Sequence, residues 1–135
     1  MQWDASPNGG YTRGTPWLPL VDPEMRNVAD QASDPASLLS LYRRLIAARR
    51  ASPALARGAH RSLFGVAPDV LAWLREANGE RVLILVNVGD AARACSLGRV
   101  EATHGDVMIA TSKRSGRIEL GGLRLGPLEG IVLRL

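Results

Sequence analysis

From Ala36 to Ala51 apolar residues return every three or four positions. Leu38, Leu41, Tyr42 and Leu45 follow the helical repeat, and Leu39 and Ile46 widen the stripe. Asp34-Pro35 supplies a start signal, a side-chain acceptor followed by a residue whose fixed φ suits the first helical position. Arg49 and Arg50 fall in the last turn, where cations complement the helix dipole, and Pro53 prevents continuation. The spacing therefore predicts a helix over 36–51, built to cover something apolar.

Beyond Gly58 the period changes to that of strands. Short runs over 62–66, 70–76, 81–88, 92–97, 107–111, 117–120 and 131–135 are separated by glycine-rich turns. Asn78-Gly79, between the second and third runs, is a strong hairpin signal. In the third run both alternating faces are apolar, with Val82, Ile84 and Val86 on one and Leu83 and Leu85 on the other. That pattern predicts a central strand covered on both sides. Strands of this length and spacing suggest a small antiparallel sandwich, with Ile131, Leu133 and Leu135 pointing into its core.

Residues 1–33 have neither period. They are dense in Pro, Gly, Asn and Asp, yet hold Trp3 and Trp17. A loop this long and aromatic is expected to pack against something larger than the remaining chain. The wide helix stripe leads to the same expectation, because a sandwich of ~70 residues cannot cover it and keep its own core. The sequence thus reads as part of a bigger protein, with an incomplete-looking beginning and a complete-looking end.

The 46% apolar and 22% charged residues are those of a globular chain, and no apolar run is long enough to span a bilayer. The net charge of +4 raises the question of nucleic acid. The arginines, however, are scattered except for Arg43/Arg44 and Arg49/Arg50 on the helix, without interleaved aromatics, so neither a nucleic-acid nor a membrane partner is expected. Cys95 stands alone and is expected to be a half-buried strand residue in a chain from a reducing, cytoplasmic compartment. With only His60 and His104 besides, no zinc site or thiol–imidazole pair can be drawn, and no metal or cofactor is expected.

Met1-Gln2-Trp3-Asp4, Gly9-Gly10-Tyr11, Pro16-Trp17-Leu18-Pro19 and Asn27-Val28 occur in order, followed by Asp34-Pro35-x-Ser37-Leu38-Leu39 and Leu41-Tyr42-Arg43-x-Leu45-Ile46. Together they closely resemble the distal part of α-glucosidases and oligo-1,6-glucosidases of glycoside hydrolase family 13, the α-amylase family. The resemblance continues through Leu71-Ala72-Trp73-Leu74-Arg75, the strand 82–87 and Pro127-Leu128-Glu129-Gly130, and so covers nearly the whole chain. It implies a mixed fold: the end of a (β/α)8 barrel, followed by an all-β antiparallel sandwich. Residues 1–57 would form the distal end of the barrel, with loop 1–33 on its catalytic face and helix 36–51 as its last helix. Residues 61–135 would form the C-terminal β-domain.

The resemblance also implies a retaining mechanism, with an Asp nucleophile and a Glu acid/base acting on an α-glucoside or oligosaccharide. In the family those carboxylates lie upstream of anything matched here, so the resemblance assigns this chain no catalytic residue and implies inactivity in isolation. Trp3, Asp4 and Tyr11 are the candidate substrate-binding residues: aromatic faces stack on sugar rings and a carboxylate accepts sugar hydroxyls. The competing role for Trp3 is to anchor the loop, and for Asp4 to bond backbone or a neighbouring arginine. Asn8 and Asn87 read as turn-formers, Trp17 as a buried plug, and Trp73 as core or domain interface. The alternative reading of the whole is a non-catalytic β-sandwich module that binds carbohydrate or protein.

Overall fold

The structure, a computed structural model, describes all residues 1–135. Its contacts divide the chain into two compact units, Met1–Leu45 and Ile46–Leu135.

In the first unit the N-terminal segment is stapled by Gln2. Its side-chain amide donates to the Arg26 carbonyl (2.5 Å) and accepts from the Val21 N–H (3.1 Å), while its backbone carbonyl accepts from Val28 N–H (3.0 Å). A short 3-10 turn spans Pro7–Gly10 and helix α1 spans Val28–Ser33, both within the stretch read from sequence as loop. Asn27 starts α1. It is almost fully buried, its carboxamide oxygen accepts from Asp30 N–H (2.9 Å), and its nitrogen donates to Pro23 O (3.0 Å) and Asp30 (2.7 Å).

Helix α2 runs Leu38–Ala51, two residues later than the start predicted at 36. Asp34 caps a preceding turn through Ala36 N–H (2.8 Å). The helix itself is capped by buried Ser37, whose hydroxyl accepts from Ser40 N–H (3.1 Å). None of the α2 side chains is buried, and Leu38, Tyr42, Leu45 and Ile46 lie exposed along one stripe. Arg43 and Arg44, the clustered arginines of this helix, are exposed. Pro53 does end α2, but it also opens helix α3, Pro53–Arg57, with Ser52 as N-cap accepting from Leu55 N–H (3.1 Å).

The second unit is a β-domain. Strands β1 (Ala59–Ser62), β2 (Val70–Ala77), β3 (Glu80–Asn87), β4 (Arg93–Ala94), β5 (His104–Ala110), β6 (Arg117–Glu119), β7 (Arg124–Leu125) and β8 (Gly130–Arg134) are antiparallel wherever they pair. Six form one sheet in the order β1-β2-β3-β8-β5-β6, and β4 pairs β7 in a second. The β2–β3 hairpin turns at Asn78 (φ 52°) and Gly79 (φ 78°), the two left-handed residues that a twisted hairpin needs. Of the run 62–66 only Ser62 lies in a strand, as the last residue of β1, and Leu63 and Val66 enter the core from the loop that follows.

One face of the six-stranded sheet carries Leu74, Leu83, Leu85, Ile131 and Leu133, all essentially without exposure. Leu125 of the small sheet, with Cys95, Leu97 and Leu123 beside it, closes over them. Each such side chain contributes about 1.5–3 kcal/mol by leaving water. On the opposite face Val82 and Ile84 are also buried, so β3 is covered on both sides, and α3 with its fully buried Ala54 packs on β2 and β3. Leu135 is partly buried against the core. Trp73 departs from the core reading. It lies half-buried on the face opposite the main core, stacked on His60 at 6.2 Å, with Leu71 largely exposed nearby.

Two carboxylates tie this domain together. Glu80 accepts from the Ser52 hydroxyl (2.7 Å) and Ala54 N–H (3.1 Å) and pairs with Arg134 (3.2 Å), so it holds the start of α3 on the sheet. These bonds, the Ala54 N–H first, keep its carboxyl below the usual range. Glu129 is 5% exposed and pairs with Arg114 (2.7 Å), while Ser112 O–H and Gly126 N–H donate to it. Burial pushes its carboxyl up, but the bonds from Arg114, Ser112 and Gly126 outweigh that and hold it below the usual range. Asn87 pins a turn, as its sequence context suggests: its nitrogen donates to Ala91 O (2.8 Å) and Gly126 O (2.7 Å).

Candidate functional site

The candidate residues lie in the first unit, around the turn Pro7–Gly10. Asn8 takes φ 59° and its side chain donates to Thr12 O (3.1 Å) and Gly14 O (3.0 Å), which is the turn-forming role. Trp3 N–H donates to Gly9 O (2.7 Å) and Trp3 O accepts from Ala29 N–H (2.9 Å). The backbone of Trp3 is therefore fixed on both sides while its ring is half out in solvent.

Asp4 accepts from the Ser6 hydroxyl and from Ser6 N–H (2.9 Å) through one oxygen. The hydroxyl first, then the N–H, hold its carboxyl below the usual range, so it is an anion throughout the neutral region. The same carboxylate rests on the backbone of Gly10. A Cβ there would stand 2.7 Å from it and displace it, and the φ of +65° at Gly10 is one that favours glycine. Asp4 and the Gly10-Tyr11 step are thereby brought together.

Tyr11 is exposed and lines a groove of about 780 Å³, whose other walls include Gln2, Trp17, Leu18, Leu38 and Tyr42. Trp3 and Asp4 do not line that groove. Trp17 is not a plug. It is 85% exposed, because Pro16 and Pro19 flank it in irregular backbone and nothing in its unit reaches over it. Gln2 and Asn27 are the residues that sequence reasoning left without a structural role. Asn27 carried a readable signal, an amide acceptor three residues before Asp30, whereas Gln2 carried none.

No three His, Cys, Asp or Glu side chains gather where they could hold one metal ion. No helix is long and apolar enough to cross a membrane. Cys95 is a free, buried thiol, its ionisation pushed up by burial.

The family described as alpha amylase, catalytic domain, matches residues 1–58, so the eight strands lie beyond that match. A probable alpha-glucosidase of Rhizobium meliloti is 39% identical over 108 residues, which are 78% of this chain and 19% of the relative. An oligo-1,6-glucosidase of Parageobacillus thermoglucosidasius is 28% identical over all of this chain and 24% of its own length. Among solved structures, the trehalulose synthase of Pseudomonas mesoacidophila superposes with a TM-score of 0.86 at 31% identity, over 98% of this chain and 24% of its own. A variant of the same synthase was solved with the substrate sucrose. The chain spans about a fifth to a quarter of the length of these relatives. The chain belongs to the α-amylase family of glycoside hydrolases. Within it, the relatives that it matches are α-glucosidase-type members, and its antiparallel β-domain is the one that follows their catalytic domain.

Proposed function

We propose that these residues serve an α-glucosidase-type enzyme that acts on α-linked glucosides, with residues 1–57 as the distal end of its catalytic barrel and 61–135 as its C-terminal β-domain. The observation that carries this reading is the superposition over nearly the whole chain on an enzyme of that family, at 31% identity. The exposed α2 stripe supports it, since an apolar face of that width is suited to barrel strands. The chemistry is double displacement by an Asp/Glu pair supplied from outside these residues. Trp3, Asp4 and Tyr11 contribute the margin of the substrate cleft. Asp4 is suited to accept sugar hydroxyls, because it is ionised and fixed by Ser6 beside Tyr11. A reducing, cytoplasmic setting belongs to the same reading, on the strength of the unpaired Cys95.

The test is a chimera in which residues 1–135 replace the matching segment of the Rhizobium meliloti relative. The chimera is expected to hydrolyse an aryl α-glucoside, and the 135-residue chain alone is expected not to. A folded but inactive chimera would overturn the proposal, as would turnover by the chain alone.

A further inference from the structure

Gln2 sits where three stretches of the first unit converge. Its side-chain nitrogen donates to Arg26 O and its side-chain oxygen accepts from Val21 N–H, so one amide spans the stretch 21–26. The orientation of that amide is dictated by its partners, because a backbone N–H can only donate and a carbonyl can only accept. The Gln2 backbone carbonyl accepts from Val28 N–H at the start of α1. Buried Gly9 packs on the same residue: a Cβ there would stand 3.3 Å from the Cα, Cβ and Cγ of Gln2.

Gly9 belongs to the turn that carries the candidate margin. Its carbonyl accepts from the N–H groups of Trp3 (2.7 Å) and Asp4 (3.4 Å), Gly10 lies against the Asp4 carboxylate, and Tyr11 follows. Gln2 lines the same groove as Tyr11 and Trp17. Both ends of its amide are engaged with backbone, so the side chain works as a brace and leaves sugar contact to its neighbours. An apolar side chain of similar length supplies neither bond. We propose, within the α-glucosidase-type reading, that Gln2 is a positioning residue: it braces the 21–26 stretch against the Pro7–Gly10 turn and so sets Asp4 and Tyr11 for the glucoside. It touches no reacting atom. Losing the brace removes binding shared by substrate and transition state, which raises KM and leaves kcat in place.

The experiment has two arms. In the chimera with the Rhizobium meliloti relative, Gln2→Leu should raise KM for an aryl α-glucoside about tenfold, with kcat within about twofold of the unsubstituted chimera. A mere loss of folded enzyme would instead lower kcat at constant KM. In the isotope-labelled 135-residue chain, Gln2→Leu and Gln2→Glu should both displace the Val21 and Val28 amide resonances at pH 7. Gln2→Glu keeps the acceptor for Val21 N–H, and protonation gives it back a donor for Arg26 O. Its resonances should therefore return toward wild type between pH 7 and about 4, while those of Gln2→Leu stay displaced. The Met1 amino group and Arg26, charged groups on the same groove, keep their charge over that range, and titration of Asp4, Asp22 and Asp30 is common to both variants. An unchanged KM in an active Gln2→Leu chimera, or Gln2→Glu resonances that stay displaced in acid, would overturn the assignment. An unsubstituted chimera without activity strikes the enzyme reading only, since the spectra report the brace without turnover.

Discussion

Glu129 shows how much one side chain can hold. Its carboxylate takes bonds from Arg114, Ser112 and Gly126, and its backbone carbonyl accepts from Asn87 N–H (2.9 Å). Glu129→Gln keeps the shape but strips the charge from the Arg114 pair, and should cost about 2–3 kcal/mol in chemical denaturation at pH 7. The pH dependence follows from the depressed folded-state ionisation. The contribution is present in full above the ordinary glutamate range and is lost as pH falls through the lower folded value. The wild type should therefore lose more stability between neutral and acid pH than Glu129→Gln, measured as the difference in denaturation midpoint. The Pro127-Leu128-Glu129-Gly130 motif was visible in sequence, but nothing there disclosed that its acid turns inward. Burial of a carboxylate is decided by partners distant in sequence, here Arg114 and Ser112. Trp17 and Trp73 show the reverse: their bulk suggested burial, yet one ring is in solvent and the other shares an outer face with His60.

Elements were legible where local chemistry and tertiary packing agree. Asn78-Gly79 named its hairpin because two consecutive left-handed residues are rare, and β3 declared its central place through two apolar faces. Gly79→Ala should cost about 1 kcal/mol, since space is open around it but φ is +78°. Helix α1 escaped because six residues, three of them polar, are too few to show a helical period, and β7 because two residues in a glycine-rich run carry no pattern. Helix α3 escaped because Pro53 reads equally as a stop and as a first helical residue. The cap resolves that ambiguity: Ser52 is wholly buried and its hydroxyl bonds both Leu55 N–H and Glu80. Ser52→Ala should cost about 1–2 kcal/mol, the upper end because Glu80 also loses a donor. Denaturation followed by circular dichroism would measure both effects.

At the scale of the molecule, the two units differ in what holds them. The second has an enclosed apolar core, whereas the first rests on Gln2, Asn27 and Ser37 hydrogen bonds and leaves Tyr42, Trp17 and Met25 exposed. Hydrogen exchange on the chain alone should find β2, β3 and β8 the slowest and residues 1–45 the fastest, with α3 protected alongside the sheet on which it packs. Truncating Leu38 or Tyr42 to Ser should change stability by less than about 0.5 kcal/mol while reducing binding of a hydrophobic dye. Leu74→Ala, in the core, should cost about 2–5 kcal/mol. The strand order has a consequence for synthesis. Strand β8 sits between β3 and β5, so it joins two halves of the sheet that otherwise share no pairing. Until Gly130–Arg134 have left the ribosome and paired, β3, and β5 once it has emerged, each present a bare edge to any neighbouring nascent chain. A premature stop among the codons for that strand would leave most of the sequence intact and yet release a product with two open edges, to be cleared by chaperones and proteases.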